Sequence, residues 1–211
     1  MQIANTIGHS DAAQLAPEKD EIFARGMKQA GETSNFFVGP TGVSNKSCFC
    51  FRSQQFRDYI YTVVKTYARV LKPTRLWFDD DLRAHHHNPN MFGCYCDRCI
   101  SEFNRKHGTS YTREELVRQM NYESLALRRK YLDFIREGMY DFVYGAAKAC
   151  LEVSHDTVFG LEYEHMHNYL GMNDEHILGA LHRAAGKDIH TRPGACHYND
   201  KSPWGQYEKR S

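Results

Sequence analysis

The spacing of the cysteines constrains this sequence more than any other feature. Cys94, Cys96 and Cys99 form a Cys-X-Cys-X-X-Cys segment, with Cys48 and Cys50 upstream of it. The chain has seven cysteines, and an odd number in tight clusters fits metal ligation better than a disulfide framework. Thiolates at this spacing can reach one Zn²⁺ ion, which prefers a tetrahedron of ligands. Cys50 or Cys48 can supply the fourth sulfur, and four thiolates leave no open position, so the pattern predicts a structural zinc site.

The cysteines also have interpretations that need no metal ion. The clustered cysteines could be reduced and unligated, although a third cysteine beside a Cys-X-X-Cys pair favours metal. Cys150 lies in a helical pattern and is interpreted as a small buried residue.

Composition excludes several classes of protein. Hydrophobic residues make up 41% of the 211 residues and charged residues 25%, which is typical of a soluble globular protein. The formal net charge of +1 favours neither nucleic acid nor an anionic membrane surface. We find no apolar run long enough to span a membrane and no secretory signal pattern. Reduced cysteines predict a cytoplasmic location.

Strand-like and helix-like patterns alternate along the chain. Strands are predicted at residues 2–6, 75–81, 158–165 and 188–195, and a long loop at 32–50. Helices are predicted at residues 16–31, 53–72, 97–108, 112–153 (as two helices) and 174–185. This alternation predicts a parallel α/β sheet. An eight-stranded barrel typically needs about 250 residues, so we expect one partial (β/α)8 TIM-barrel domain over residues 1–211, truncated at both ends.

Polar residues gather where the predicted strands end, which is where barrels of this kind place their chemistry. The candidates are Asp79, Asp80, Asp81, Arg83, Glu162, Glu164, His165, Arg192 and His197. Crowded carboxylates raise one another's pKa, as a general acid requires, and glycosidases use two carboxyl groups. The alternatives are a solvated acidic strand end, a Ca²⁺ or Mg²⁺ site, and an ion pair of Glu162 or Glu164 with Arg192 or a neighbouring lysine.

The cysteine segment resembles a known family. Residues 93–103 (GCYCDRCISEF) resemble the zinc-binding segment of the family 42 β-galactosidases, in which a single upstream cysteine completes the site. In that family the upstream cysteine opens a Cys-X-X-Ser-X-X-aromatic-Arg-acidic segment, and residues 50–58 (CFRSQQFRD) match it. The resemblance covers residues 48–106 and implies Cys50, rather than Cys48, as the fourth ligand.

The resemblance also implies an activity. The family's acid/base strand ends in Asp-Asn-Glu, and here Asp80 and Asp81 replace the Asn and the Glu. Asp81 is then the expected general acid of a retaining glycoside hydrolase that acts on β-galactosides or related glycans. The family's nucleophile lies on the seventh strand, and residues 188–195 count as the sixth. We therefore expect a fragment with weak or no activity alone, which binds carbohydrate and self-associates into a homo-oligomer.

Two other functions remain open at this stage. One is a non-catalytic carbohydrate-binding or scaffold protein with a structural zinc, favoured by the missing Asn-Glu pair. The other is a metal-dependent enzyme of another class, in which residues 79–81 and the histidines at 85–87 are the ligands.

Overall fold

A computed structural model shows the fold and describes residues 2–3, 35–79, 82, 84, 93–163 and 174–193. Six strands and five helices lie in these ranges. In chain order they are β1 (Gln2–Ile3), β2 (Phe36–Val38), β3 (Ser44–Phe49), α1 (Gln54–Leu71), β4 (Arg75–Phe78), α2 (Asp97–His107), α3 (Arg113–Tyr122), α4 (Leu125–Leu151), β5 (Val158–Tyr163), α5 (Asp174–Ala185) and β6 (His190–Pro193).

The main sheet has four strands in the order β1-β4-β5-β6, and every pair is parallel. The spatial order follows the chain order without a reversal, as in the wall of a (β/α) barrel and unlike a doubly wound sheet. The predicted parallel α/β arrangement is therefore confirmed. Within the described ranges, β1 and β6 each pair with a single strand, so these four strands form an open sheet and not a closed barrel.

The helices begin and end where local chemistry directs them. The Ser53 side chain caps α1 by accepting a hydrogen bond from the Phe56 amide, and Lys72 ends that helix in the left-handed conformation. Thr112 and Glu115 form a reciprocal capping box at the start of α3. Ser124 caps α4. The prediction of two helices within residues 112–153 is therefore confirmed.

The helices cover one face of the sheet. Leu76 and Phe78 of β4, with Phe159 and Leu161 of β5, are fully buried in the core that these strands form with the helices. Farther from the sheet, three aromatic rings stack in a row that joins β3 to the helices: Phe49 lies 4.6 Å from Phe56, and Phe56 lies 5.2 Å from Phe142. This core fixes the orientation of β4 and β5, so their alternate residues point to the opposite face.

Residues 32–50 were predicted as a loop, and this prediction is wrong. β2 and β3 form an antiparallel hairpin, and the Gly39 amide bonds the Val43 carbonyl at 2.8 Å across its tip. Gly42 sits there at φ 83°, a conformation that favours glycine. The glycines and proline that suggested a loop mark the turn of this hairpin, and the aromatic residues beside them are its strands.

β4 ends earlier than predicted. It ends at Phe78, where the Leu82 amide donates to the Asp79 carbonyl at 3.0 Å. Asp79 therefore follows the strand, and the predicted alternation of strand residues does not extend to it. β5 is described as far as Tyr163 and β6 as far as Pro193, so the predicted ends of these two strands lie outside the described residues. The helix predicted at residues 16–31 lies outside the described residues.

Within the described ranges, no helix combines the length and the apolar character needed to cross a bilayer.

Candidate functional site

The sulfur atoms of Cys50, Cys94, Cys96 and Cys99 lie within 4.8 Å of one another. Cys50 Sγ is 3.4 Å from Cys99 Sγ and 4.0 Å from Cys96 Sγ. A Zn–S bond of about 2.3 Å places the sulfurs of a tetrahedron about 3.8 Å apart, whereas a disulfide needs about 2.05 Å. The cluster therefore has the dimensions of a four-thiolate metal site. Cys48, although buried, does not belong to it.

Two separate segments supply the sulfurs. Cys50 follows the hairpin, where its amide donates to the Asn35 carbonyl at 2.8 Å. Cys96 is the N-cap of α2, and Cys99 lies in the first turn of that helix. The Tyr95 amide donates to the Val38 carbonyl at 2.8 Å, which joins the cysteine loop to the hairpin. The cluster thus fastens the hairpin to the start of α2.

Helix α4 packs against the cysteine loop. The Tyr131 hydroxyl donates to the Cys94 carbonyl at 2.5 Å. Gly93 begins the loop at φ 85°, and a Cβ there would lie 3.3 Å from Ile135 Cγ1. A side chain at this position would be both strained and crowded, so Gly93 lets the loop lie close against α4.

The electrostatics of the cluster favour a bound cation. All four cysteines are buried. Hydrogen bonds from Cys50, Cys94 and Cys99 lower the pKa of Cys96 far below its ordinary value. Burial raises the pKa of Cys94, and hydrogen bonds to Cys50 and Cys94 raise that of Cys99. Hydrogen bonds from protonated neighbours thus stabilise the thiolate of Cys96. Four thiolates at the same place would repel one another, so the deprotonation of all four requires a positive ion between them.

The cluster leaves little space beside it. Cys50, Cys94 and Cys99 line a cavity of about 10 Å³ with Phe37, Phe51, Arg52, Ile135 and Gly138. That volume is about the minimum for one water molecule, so a substrate has no room at the sulfurs. Four thiolates in a closed setting fit a structural metal ion.

The tyrosines against the cluster predict a loss of stability in alkali. Burial raises the pKa of Tyr95 to about 12 and that of Tyr131 well above its usual 10.0. In the unfolded chain both ionise near pH 10, so their contribution to stability is complete below about pH 10 and is lost as the pH rises toward about 12. We expect the free energy of unfolding in urea to fall by about 2–3 kcal/mol for Tyr95 across that range, at about 1.4 kcal/mol per pH unit.

Tyr95→Phe provides the control for this titration, because it removes one ionisable hydroxyl and keeps the ring. The variant should lose less stability than the unsubstituted protein over the same pH range. Equal losses in the two proteins would contradict the assignment.

A second group of residues lies on the sheet face opposite the one that packs against the described helices. Pairing of the parallel strands places Trp77 beside Gly160, and Gly160 beside His190. A Cβ on Gly160 would lie 2.3 Å from Trp77 Cε3. The indole ring therefore spreads across the glycine, and Arg75 Cζ lies 5.7 Å from the centre of the Trp77 ring. The indole of Trp77 and the backbone of Gly160 thus bring β4 and β5 into close contact on this face.

An ion pair between a buried carboxylate and an exposed guanidinium lies at the carboxyl end of the same face. Glu162 and Arg192 are register partners on β5 and β6, and Arg192 Nη1 donates to Glu162 Oε1 at 2.5 Å. The Glu162 side chain is 6% exposed and that of Arg192 is 54% exposed. The ion pair considered among the alternatives is therefore present, and the exposed guanidinium remains within reach of a ligand.

The structure describes three of the nine predicted strand-end residues. Because Phe78 pairs with Leu161, Asp79 directly follows β4 where Glu162 follows Leu161 on β5, and Arg192 pairs with Glu162. These three residues therefore meet at one edge. The other six, Asp80, Asp81, Arg83, Glu164, His165 and His197, lie outside the described residues. Trp77 was missed as a candidate, although a glycine inside a strand signals the close approach of another group.

Comparisons by sequence find no relatives. A scan against protein-family models gives no match, and a search of curated proteins gives none either.

Similar solved structures include three enzymes. The β-galactosidase from the psychrophilic Marinomonas ef1 is 9% identical over 96% of this chain and 31% of its own, with a TM-score of 0.55. The β-galactosidase from the haloarchaeon Halorubrum lacusprofundi is 12% identical over 96% of this chain and 32% of its own, with a TM-score of 0.53. The catalytic domain of the β-amylase from Paenibacillus polymyxa is 9% identical over 82% of this chain and 56% of its own, with a TM-score of 0.52.

The chain thus spans about a third of the two β-galactosidases and about half of the β-amylase domain. At these identities the likeness establishes the fold alone. The parallel strands in chain order agree with this fold, and so do the helices on one face and the polar residues at one edge of the sheet. Within the described residues, the chain therefore has the fold of one part of a (β/α) barrel, similar to the matching parts of these three structures.

Proposed function

We propose that this chain forms the acid/base half of a glycoside hydrolase site that binds a β-galactoside or a related glycan, with structural Zn²⁺ in the four-cysteine cluster. The observation that carries the proposal is the indole of Trp77 spread over Gly160, beside the buried pair of Glu162 and Arg192. Similar folds in two β-galactosidases support the same substrate class by analogy.

An aromatic ring next to planar charged groups suits a sugar. The faces of a pyranose carry C–H groups that pack on an aromatic ring, and its rim carries hydroxyls. Gly160 and Glu162 are two residues apart on β5, which spans roughly 6.6 Å along a strand. A sugar stacked on Trp77 can therefore place a hydroxyl near the carboxylate of Glu162 and the guanidinium of Arg192.

The proposed chemistry assigns the proton donor. Asp81, at the position of the family's general acid, protonates the oxygen of the leaving group, and Asp79 and Asp80 keep its pKa high by repulsion. Arg83, Glu164, His165 and His197 are proposed to bind sugar hydroxyls with Glu162 and Arg192. Zn²⁺ held by all four sulfurs would have no open coordination position and would therefore take no part in this step.

One observation favours a non-catalytic alternative. Arg192 already holds Glu162 in an ion pair, a state that suits hydroxyl binding better than proton transfer. A carbohydrate-binding or scaffold protein with a structural zinc would keep the stacking surface and the ion pair and would show no turnover.

Hydrolysis of aryl β-galactosides and binding of galactosides, followed by nuclear magnetic resonance, separate the two functions. Trp77→Ala should weaken binding by about tenfold or more, since about 1.4 kcal/mol of stacking corresponds to a factor of ten. The matched control is Tyr122→Ala, which removes a ring that is 84% exposed on α3 and should leave binding unchanged. Turnover that is lost in Asp81→Ala supports the hydrolase.

Each outcome of this experiment has a definite meaning. Binding without turnover is expected both of an acid/base half alone and of the alternative, so turnover that depends on Asp81 is the outcome that separates them. Normal turnover in Asp81→Ala removes the acid from the mechanism. Equal binding by Trp77→Ala and the unsubstituted protein removes the stacking surface, and with it the proposal.

Self-association and a cytoplasmic location stay predictions. The first agrees with the open outer edges of β1 and β6 within the described ranges, because an unpaired strand edge can accept another strand.

A further inference from the structure

We infer that Arg52, assisted by Arg57 and Arg113, forms a cationic shell that compensates the negative charge of the metal-loaded cysteine cluster and sets its metal affinity. The inference rests on the proposed metal site. Four thiolates with one divalent ion carry a formal charge of about −2, and burying such a charge without a counter-charge is costly.

Arg52 is the central member of this shell. Its side chain is 14% exposed, and it lines the same small cavity as Cys50, Cys94 and Cys99. Its guanidinium lies over the Phe134 ring, 3.7 Å from the centroid, and Nη2 donates to the Phe134 carbonyl at 2.6 Å. The head group is thus fixed next to the cluster.

One nitrogen of the Arg52 guanidinium has no hydrogen-bond partner among the described residues. This nitrogen, Nε, is fully buried. A Cβ on Gly138 would lie 3.1 Å from Nε, so the glycine in α4 makes room for the side chain. A buried donor without a partner is costly, and a nearby anion is the group that would offset that cost.

Two further arginines bind carbonyls next to the ligands. Arg57 Nε donates to the Phe51 carbonyl at 2.5 Å, one residue after Cys50. Arg113 Nε donates to the Tyr95 carbonyl at 2.9 Å, between Cys94 and Cys96. These bonds place positive charge beside both segments that supply sulfurs.

Three carboxylates face the arginines of this shell, and they are more exposed than Arg52. Glu102 bonds Arg52 at 3.0 Å, Glu137 lies 3.8 Å from it, and Asp97 bonds Arg113 at 2.8 Å. These carboxylates are 31%, 46% and 92% exposed, so water screens them more than it screens Arg52. The first turn of α2 adds a partial positive charge at Cys96 and Cys99.

Arg52→Met and Arg52→Lys test the inference in competition with a chelator for Zn²⁺. We expect Arg52→Met to weaken Zn²⁺ binding by about 10–100-fold, as groups beyond the ligands commonly do, and Arg52→Lys to restore part of it. Arg118→Met is the control, because Arg118 pairs with Glu123 on an exposed surface and should not change the affinity.

Absorption of the Co²⁺-loaded protein separates charge from geometry. In Arg52→Met the sulfur-to-cobalt charge-transfer band should move to longer wavelength, while the d–d bands keep their tetrahedral pattern. An unchanged affinity and band position in Arg52→Met overturn the inference but leave the metal site intact. If the unsubstituted protein binds neither Zn²⁺ nor Co²⁺, the metal site itself is wrong, and the inference falls with it.

Discussion

Replacing Cys99 with serine is expected to abolish tight zinc binding and to lower the free energy of unfolding by several kcal/mol. Its sulfur lies 3.4 Å from that of Cys50 and is fully enclosed, so the other three thiolates would lose the fourth corner of the tetrahedron. In small zinc domains the metal contributes about 10–16 kcal/mol to the free energy of folding. A domain that also has an aromatic core should lose only part of this free energy when the metal is lost.

The damage should be local. The hairpin is joined to the start of α2 through the sulfurs and through the bond between Tyr95 and Val38. In Cys99→Ser, amide hydrogen exchange should accelerate in β2, β3 and the loop at residues 93–96, and should remain slow in the buried parts of β5 and α4. Zinc content and urea unfolding, each with and without a chelator, complete the measurement.

Cys48→Ala is the matched control, because Cys48 is just as buried and lies two residues from Cys50. It should retain one zinc per chain and lose only about 1 kcal/mol, as for a small cavity. Zinc retained by Cys99→Ser, or lost by Cys48→Ala, would refute the assignment of the ligands.

Gly160→Ala is expected to destabilise the sheet by about 1–3 kcal/mol, the usual cost of overpacking, and to abolish carbohydrate binding. The new methyl group would lie 2.3 Å from both Cε3 and Cζ3 of Trp77, so the indole must leave its place over β5. Urea unfolding and galactoside titration measure the two effects on the same sample.

A second substitution shows whether the indole is responsible. Trp77→Ala in the Gly160→Ala background removes the clash, so stability should return toward that of Trp77→Ala alone, whereas sugar binding should stay absent. Gly179→Ala is the control: a Cβ there meets nothing within 4 Å, and alanine in a helix is favourable by up to about 1 kcal/mol. If Gly160→Ala binds galactosides normally, the stacking surface is not the sugar site.

Local chemistry made the helices and the cysteine cluster predictable. Ser53 and Thr112 cap their helices by bonds to amides three residues ahead, and such signals are complete within a few residues of sequence. The spacing of Cys94, Cys96 and Cys99 likewise limits where three sulfurs can lie. The choice of Cys50 over Cys48 came from the family resemblance, and the structure brings the Cys50 sulfur to the other three.

Features that depend on distant partners were not predictable. The hairpin was missed because residues 36–38 become a strand only when they pair with residues 44–49. β4 ends at Phe78, where the backbone turns at Asp79. Aspartate disfavours strands and favours turns, so residues 79–81 carried a signal for this end that the apolar run before them outweighed. The surface on Trp77 needs the register between β4 and β5, which a single sequence does not show.

The cysteine loop starts a short distance along the chain from the end of β4. Asp79 ends the described stretch after that strand, and Cys94 is already fixed by the sulfurs and by Tyr131. Residues 80–93 therefore connect the proposed sheet-edge site to the cysteine cluster along the chain. Thermodynamic reciprocity then applies: if a bound ion restricts this segment and so favours a ligand at the sheet edge, that ligand must strengthen retention of the ion by the same factor.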